Sequence, residues 1–301
     1  MPSPRSGSPA LTDDDLPGLA AGLGLPGIFD VHVHFMPDRI QEAVWAHFDR
    51  QADPPWPMVY RARADERLAR LARMGVVRHT ALAYAHRPGV ATWLNAHTLD
   101  LAGRHHQIVP TFTLFPEPGV TDYVGEALAA GGRCVKVHLQ VSKFDLTDPL
   151  LDEAWALLEA AGTPIVVHLA AVDDGSGGEA FCRPEALWRL LDRHPGLRPV
   201  VAHLGAPDLV AELFDRAAEL PELRFDTAMA VVPTVQIWTP PDWLPGRLAE
   251  LGDRILFGSD YPHLPLTVAD QVAALVGFGL GDDWLRGVLW HNAAALFDAS
   301  G

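Results

Sequence analysis

Two histidines near the start of the chain, His32 and His34, have the spacing of a pair of metal ligands. They lie in a short stretch rich in β-branched and aromatic residues, where side chains two positions apart point to the same side of a strand. Two imidazoles that meet at the end of a buried strand suit a divalent metal ion better than a hydrophobic core. The pair therefore predicts a metal site.

Three more polar residues end apolar stretches further along the chain: His168, His203 and Asp260. Each one alone is equally well explained as a hydrogen-bonded core histidine or as a helix N-cap. Brought together with the first pair, they provide the ligands of a borderline-soft divalent ion and one additional base. The set therefore strengthens the prediction, provided that the fold gathers these residues at one place.

The apolar stretches themselves predict such a fold. Continuous apolar strands separated by helical segments are typical of a parallel sheet covered on both faces. Eight such units predict an α/β protein built as a (β/α)8 TIM barrel, in which active-site groups project from the carboxyl ends of the strands. A doubly wound open sheet is the alternative, but the sequence has no GxGxxG or Walker loop. The strands are expected at 27–35, 79–84, 108–115, 134–140, 164–170, 197–204, 223–229 and 255–260.

The domain organisation is expected to be simple. Residues 1–24 are assigned to an N-terminal tail and a short helix, and residues 25–301 to a single barrel domain. The longest connection, after the first strand, is interpreted as an inserted loop that acts as a lid. Its Trp45, Trp56 and Tyr60 are expected either to line a pocket or to pack the loop onto the barrel rim.

Composition narrows the class of partner. A formal net charge of −15 disfavours nucleic acids and anionic membranes, because both attract basic surfaces. The sequence shows neither a signal peptide nor a stretch long enough to span a bilayer, and its two cysteines form no disulfide framework. A cytoplasmic protein with a small-molecule substrate is expected.

Three further residues are candidates for substrate binding. Of the 23 basic residues only Lys136 and Lys143 are lysines, and Lys136 shares one face of the fourth strand with His138. A lysine kept in mid-strand suggests a position inside the barrel that a guanidinium cannot fill. Arg87 follows the second strand at the same rim, although a solvated loop charge explains it as well.

The motifs resemble those of the amidohydrolase superfamily, specifically the branch that includes aminocarboxymuconate semialdehyde decarboxylase. The matching segments are 30–34, His168, 203–205 and 257–262. The resemblance implies one divalent metal, zinc first and manganese second, held by His32, His34, His168 and Asp260. It also implies that His203 and Asp260 are catalytic and that Lys136 is unmodified.

The resemblance is less specific for the reaction than for the fold. Its leading implication is hydrolysis of a C–N or C–O bond in a small compound, with cyclic and carboxylated molecules among the candidates. Decarboxylation of an aromatic or unsaturated acid is the first alternative, and a noncatalytic metal-binding role is the second. A homodimer is compatible with the resemblance.

Overall fold

The computed structural model describes residues 11–50, 56–171, 175–205, 207, 209–233 and 239–298. Within these residues every strand pairs with its neighbours in parallel, as the apolar stretches predicted. The strands are β1 Ile28–Asp30, β2 Val76–Thr80, β3 Ile108–Val109, β4 Thr111–Thr113, β5 Cys134–His138, β6 Pro164–His168, β7 Arg198–Val201, β8 Arg224–Asp226 and β9 Ile255–Leu256.

The strands follow one another in chain order around the molecule. One sheet has the order β1-β2-β3 and the other the order β4-β5-β6-β7-β8-β9. The predicted third strand is divided at Pro110, which has no N–H to donate. Val31 donates to the carbonyl of Phe257 at 2.9 Å, and a parallel bridge joins Val33 to Tyr261, so the last strand lies beside the first. The fold is the expected TIM-barrel architecture.

Helices alternate with the strands. In α8, for example, Leu187, Leu190 and Leu191 are buried while Glu185 is exposed, as expected of a helix with one apolar stripe. The helices are α1 Leu16–Gly22, α2 Asp38–Phe48, α3 Ala64–Arg73, α4 Ala91–Arg104, α5 Val120–Ala129, α6 Leu139–Ser142, α7 Asp152–Ala160, α8 Pro184–Arg193, α9 Val210–Ala217, α10 Leu244–Leu251, α11 Val268–Gly277, α12 Asp282–Arg286 and α13 Asn292–Asp298.

Side chains from separate strands pack against one another and against α13. The cluster contains Phe29, Val109, Cys134, Val166, Val200 and Leu256, together with Leu296 and Phe297 of α13. Along β5 the same strand face continues from Cys134 to Lys136 and then to His138, because alternate residues point to the same side. The apolar cluster therefore lies below a polar layer at the carboxyl ends of the strands.

The connection between β1 and β2 contains α2 and α3, and part of it, residues 51–55, lies outside the described residues. Trp56 donates from its indole Nε1 to the carbonyl of His263 at 2.9 Å. The hydroxyl of Tyr60 donates to Asp13 at 2.6 Å and accepts from the backbone N–H of Val268 at 2.7 Å, so Tyr60 packs the connection onto the rest of the protein. The lid role stays a prediction.

The predicted N-terminal helix is present as a 3-10 turn, Asp13–Asp15, followed by α1, whereas residues 1–10 of the predicted tail lie outside the described residues. The division of the chain at residue 25 stays a prediction. Among the described residues, no helix combines the length and the apolar character needed to cross a membrane.

Candidate active site

Three of the predicted metal ligands converge at the carboxyl ends of β1 and β9. The Nε2 atom of His34 lies 3.0 Å from Oδ1 of Asp260, and Nε2 of His32 lies 3.5 Å from the same oxygen. Their ligand atoms all lie within 4.8 Å of one another, which is close enough for one ion to contact all three. Both imidazoles are buried, and the Asp260 side chain is 16% exposed.

Groups outside this triangle orient the two imidazoles. The Nδ1 atom of His32 lies 2.8 Å from Oδ2 of Asp226, the last residue of β8. The Nδ1 atom of His34 lies 3.2 Å from the carbonyl oxygen of Leu82, which can only accept a hydrogen bond. Nδ1 of His34 therefore carries a proton. Nε2 donates to Asp260 when the ring is protonated, and in the neutral ring it offers a lone pair to a metal ion.

The local backbone allows this crowding. A Cβ atom on Gly258 would lie 2.8 Å from Cβ of His32 and 3.1 Å from Cβ of Asp226. Glycine is therefore the residue that lets the two side chains meet beside the last strand. Asp260 has a φ of 66°, in the left-handed region that aspartate tolerates better than most residues, and this turn directs it toward His34.

His203 lies beside the triangle but is not part of it. It stands in the 3-10 turn Ala202–Leu204 that follows β7, with a φ of 59°. Its Nδ1 lies 2.9 Å from the carbonyl oxygen of Ala228, so the proton belongs on Nδ1 and Nε2 is the basic nitrogen. The rings of His203 and His32 have centroids 4.8 Å apart. His32, His203 and Asp226 form a second group whose ligand atoms lie within 4.8 Å of one another.

His168 is close to the triangle without joining it. It ends β6, and its Nε2 lies 2.9 Å from the carbonyl oxygen of Ala170. Its ring stacks on His138, with centroids 3.8 Å apart, and meets His203 edge to face at 4.9 Å. His168 belongs to neither of the two groups of the described residues that are arranged to hold a metal. Its role as a ligand stays a prediction.

Lys136 is fully buried beneath the histidines. Its Nζ lies 3.4 Å from Nε2 of His32. Burial lowers the pKa of Lys136 to about 8, although the carboxylates of Asp226 and Asp260 favour its charged form. The side chain therefore places an amine directly against His32, at the floor of the site.

The protonation states suit metal binding. Burial lowers the pKa of His34, and it holds the pKa of both His32 and His168 well below the usual histidine range. Burial by itself would raise the pKa of Asp260, but the hydrogen bond to His34 and the neighbouring histidines keep it well below the usual range. The donors are therefore neutral imidazoles and an ionised carboxylate, the forms that bind a divalent cation.

Two predicted substrate contacts differ in their position. His138 lies at the end of β5, accepts from the backbone N–H of Val141 at 3.5 Å and packs on Tyr84 with ring centroids 4.6 Å apart. Arg87 is exposed on the connection after β2. His138 is thus part of the polar layer, whereas the contact of Arg87 with a substrate stays a prediction.

The sequence interpretation missed Asp226. It ends the observed strand β8 but lies in the middle of the predicted strand at 223–229, and a carboxylate inside an expected strand was the signal that could have identified it. His263 is a second residue of this region that the sequence analysis does not select. The ring of His263 stacks on His34 with centroids 4.8 Å apart, and its Nε2 lies 2.7 Å from Nε2 of Gln41.

A TIM barrel with histidines and carboxylates gathered at the carboxyl ends of its strands defines a class of metal-assisted enzymes. The amidohydrolase family model matches residues 29–299, and the chain belongs to this family. It is accordingly an enzyme that acts on a small molecule, as a hydrolase or a related decarboxylase, in a metal-dependent family.

Solved structures show the same fold at low sequence identity. An uncharacterised TIM-barrel protein from Bordetella bronchiseptica has 19% identity and a TM-score of 0.71, covering 91% of this chain and 99% of that one. A candidate 2-pyrone-4,6-dicarboxylic acid hydrolase from Pseudomonas putida has 18% identity and a TM-score of 0.62, covering 91% and 98%. An IDCase from Metarhizium anisopliae has 17% identity and a TM-score of 0.63, covering 93% and 99%. No curated protein matches this sequence.

Proposed function

We propose that the protein is a metal-dependent hydrolase that cleaves a C–N or C–O bond in a small molecule, with cyclic and carboxylated compounds as the first candidates. The observation that carries this proposal is the convergence of His32, His34 and Asp260 within 4.8 Å at the carboxyl ends of the strands. The similarity to a candidate pyrone dicarboxylic acid hydrolase supports a cyclic, carboxylated substrate.

The proposed metal is one divalent ion, zinc in preference to manganese. Imidazole nitrogens and carboxylate oxygens are the ligands that zinc prefers, and the three converging donors are held in the required protonation states. We assign His32, His34 and Asp260 as ligands and His168 as the fourth. An ion bound there would supply Lewis-acid polarisation of a carbonyl group and acidification of a water molecule.

The remaining steps belong to the protein. We propose that Asp260, which is ionised and next to His34, accepts the proton of the attacking water. His203 directs its basic nitrogen away from Ala228, and in its protonated form it can stabilise a developing oxyanion or protonate the leaving group. We propose that Lys136 and His138 hold the substrate, and we retain Arg87 as a further contact.

Decarboxylation is the second candidate, and the buried Lys136 favours it. An amine at 0% exposure beside His32 can hold a substrate carboxylate in the site. In that reaction Asp260 or His203 would protonate the carbon that loses carbon dioxide. A noncatalytic metal-binding role is less well supported, because the residues proposed for catalysis are all present alongside the ligands.

The test is a screen of zinc-loaded and manganese-loaded protein against lactones, amides and carboxylated aromatics, with carbon dioxide measured alongside hydrolysis products. Elemental analysis of the same samples is expected to give about one ion per chain. Hydrolysis without release of carbon dioxide supports the first candidate, and release of carbon dioxide supports the second. Wild-type protein that binds neither metal would refute the metal site. We further propose a cytoplasmic location. We also propose a homodimer, and light scattering of the purified protein tests it by measuring the molar mass.

A further inference from the structure

Asp226 contacts two residues of the proposed site, His32 and His203. It is fully buried at the end of β8. Its Oδ2 lies 2.8 Å from Nδ1 of His32, while its Oδ1 accepts from the backbone N–H groups of His203, at 3.0 Å, and Ala228, at 3.1 Å. Both carboxylate oxygens are therefore engaged, each with a different part of the site.

These contacts determine which ring nitrogen of His32 carries the proton. The two backbone N–H groups are donors, so Oδ1 of Asp226 is an acceptor. Nζ of Lys136 is a donor and lies 3.4 Å from Nε2 of His32, which places a lone pair on Nε2 and the proton on Nδ1; in its ionised form Asp226 accepts that proton at Oδ2. Nε2 of His32 is then left with a lone pair, on the same side as Nε2 of His34 and Oδ1 of Asp260.

The contact is also protected. Neither residue is more than 1% exposed, so water does not compete for the hydrogen bond. Gly258 leaves the space in which His32 and Asp226 approach each other, since a Cβ there would lie about 3 Å from both. A hydrogen bond held in this way orients the ring as well as its proton.

We infer that Asp226 is a positioning residue that fixes the His32 tautomer with the proton on Nδ1, and that it holds the backbone turn of His203 with its other oxygen. The inference rests on the proposed function in treating His32 as a metal ligand and His203 as a catalytic group. Outer carboxylates that orient a ligating histidine typically contribute a factor of about 10 to 100 in metal affinity. Asp226 is expected to do the same here.

The tautomer is measured directly by NMR of metal-free, full-length protein labelled with 15N in histidine. The chain has 14 histidines, and the His32 signals are assigned by their absence in His32→Gln. The test variant is Asp226→Asn, whose amide oxygen can still accept from His203 and Ala228. Its NH2 group then faces Nδ1 of His32, which must become an acceptor, so the proton moves to Nε2.

A matched control is Asp30→Asn. Asp30 is equally buried, ends β1, and accepts from the backbone N–H groups of His32 and Ser259, each at 3.0 Å. It makes these contacts to the backbone and not to the His32 ring. The control is expected to keep the proton of His32 on Nδ1 and to keep zinc affinity.

The expected result is a proton on Nδ1 of His32 in wild type and on Nε2 in Asp226→Asn, with an unchanged His203 tautomer in both. Zinc affinity, measured by competition with a chelator, should fall about 10- to 100-fold in Asp226→Asn. A wild-type spectrum with the His32 proton on Nε2 overturns the inference, and this measurement needs no variant to fold. A folded Asp226→Asn with wild-type tautomer and affinity overturns it as well. If the tautomer changes as expected but wild type binds no zinc, the proposed function fails while the positioning of His32 by Asp226 stands.

Discussion

The imidazole rings of His138 and His168 lie face to face, with centroids 3.8 Å apart and 19° between their planes. The two residues are register partners on β5 and β6, so the parallel pairing itself places one ring on the other. Burial keeps the pKa of each well below the usual histidine range, which leaves both rings neutral and removes the repulsion that two imidazolium ions would have.

This pair allows the fourth metal ligand to be tested with an internal comparison. His168→Ala is expected to lower zinc affinity by removing a proposed ligand, whereas His138→Ala is expected to keep the metal and raise KM. Competition with a chelator measures the affinity, and steady-state kinetics measure KM. Equal metal affinity in His168→Ala and wild type would remove His168 from the ligand set.

His203 is expected to act in catalysis without holding the metal. His203→Ala should retain about one ion per chain while turnover falls about 100-fold or more, the usual effect of removing a general acid or base. Elemental analysis and single-turnover kinetics on the same preparation measure the two quantities. Parallel loss of metal and activity would instead favour the second group, in which His203 joins His32 and Asp226.

The two lysines provide a matched pair for substrate binding. Lys136→Gln is expected to raise KM for carboxylated substrates, because the buried amine is lost, while the metal content stays near one ion per chain. Lys143→Gln is the control, because Lys143 is exposed and its Nζ donates to the carbonyl of Ser176 at 2.6 Å. A content near two ions in wild type that drops in Lys136→Gln would show that Lys136 supports a metal bridge.

His79, which is not one of the site residues, should make the free energy of unfolding depend on pH. It is fully buried against Phe35, and burial lowers its pKa to about 4 from an unfolded value of about 6.5. Between these values the unfolded chain binds a proton that the native state does not, so stability is lost as the pH falls through this window. The expected loss is about 3 kcal/mol.

The variant His79→Gln separates this contribution from those of the other histidines. Urea unfolding of wild type and variant across the same pH range gives two curves, and their difference should change by the amount expected for His79. If the two curves stay parallel, His79 does not titrate with a lowered pKa.

The architecture was predicted well from the sequence because a buried strand is recognisable as a short stretch of apolar residues. The stretch ending in His168, for instance, is apolar throughout and forms β6 with the predicted start. The strand ends were less predictable. His203 and Asp260 were assigned to strands, but both lie in turns with positive φ, which residue composition does not reveal.

The residues proposed as metal ligands were selected from the sequence, whereas the residues that contact them from outside were missed. His32, His34 and Asp260 could be selected because their types suit a metal. Asp226 contacts His32 and Gln41 contacts His263, and such contacts depend on register and rotamer rather than on spacing in the chain. A carboxylate inside the predicted strand at 223–229 was the available signal for Asp226, whereas Gln41 had none.

The contact between β1 and β9 joins two segments that are synthesised at different times. Asp260 leaves the ribosome 226 residues after His34, and the strand that pairs with Val31 emerges just before it. Translation adds about 5 to 20 residues per second, so at least about ten seconds pass between the synthesis of the two histidines and the synthesis of Asp260. If the triangle holds a metal as proposed, its three ligands are together only after the strand before Asp260 has paired with the first strand, and a bound ion would report that this pairing has formed.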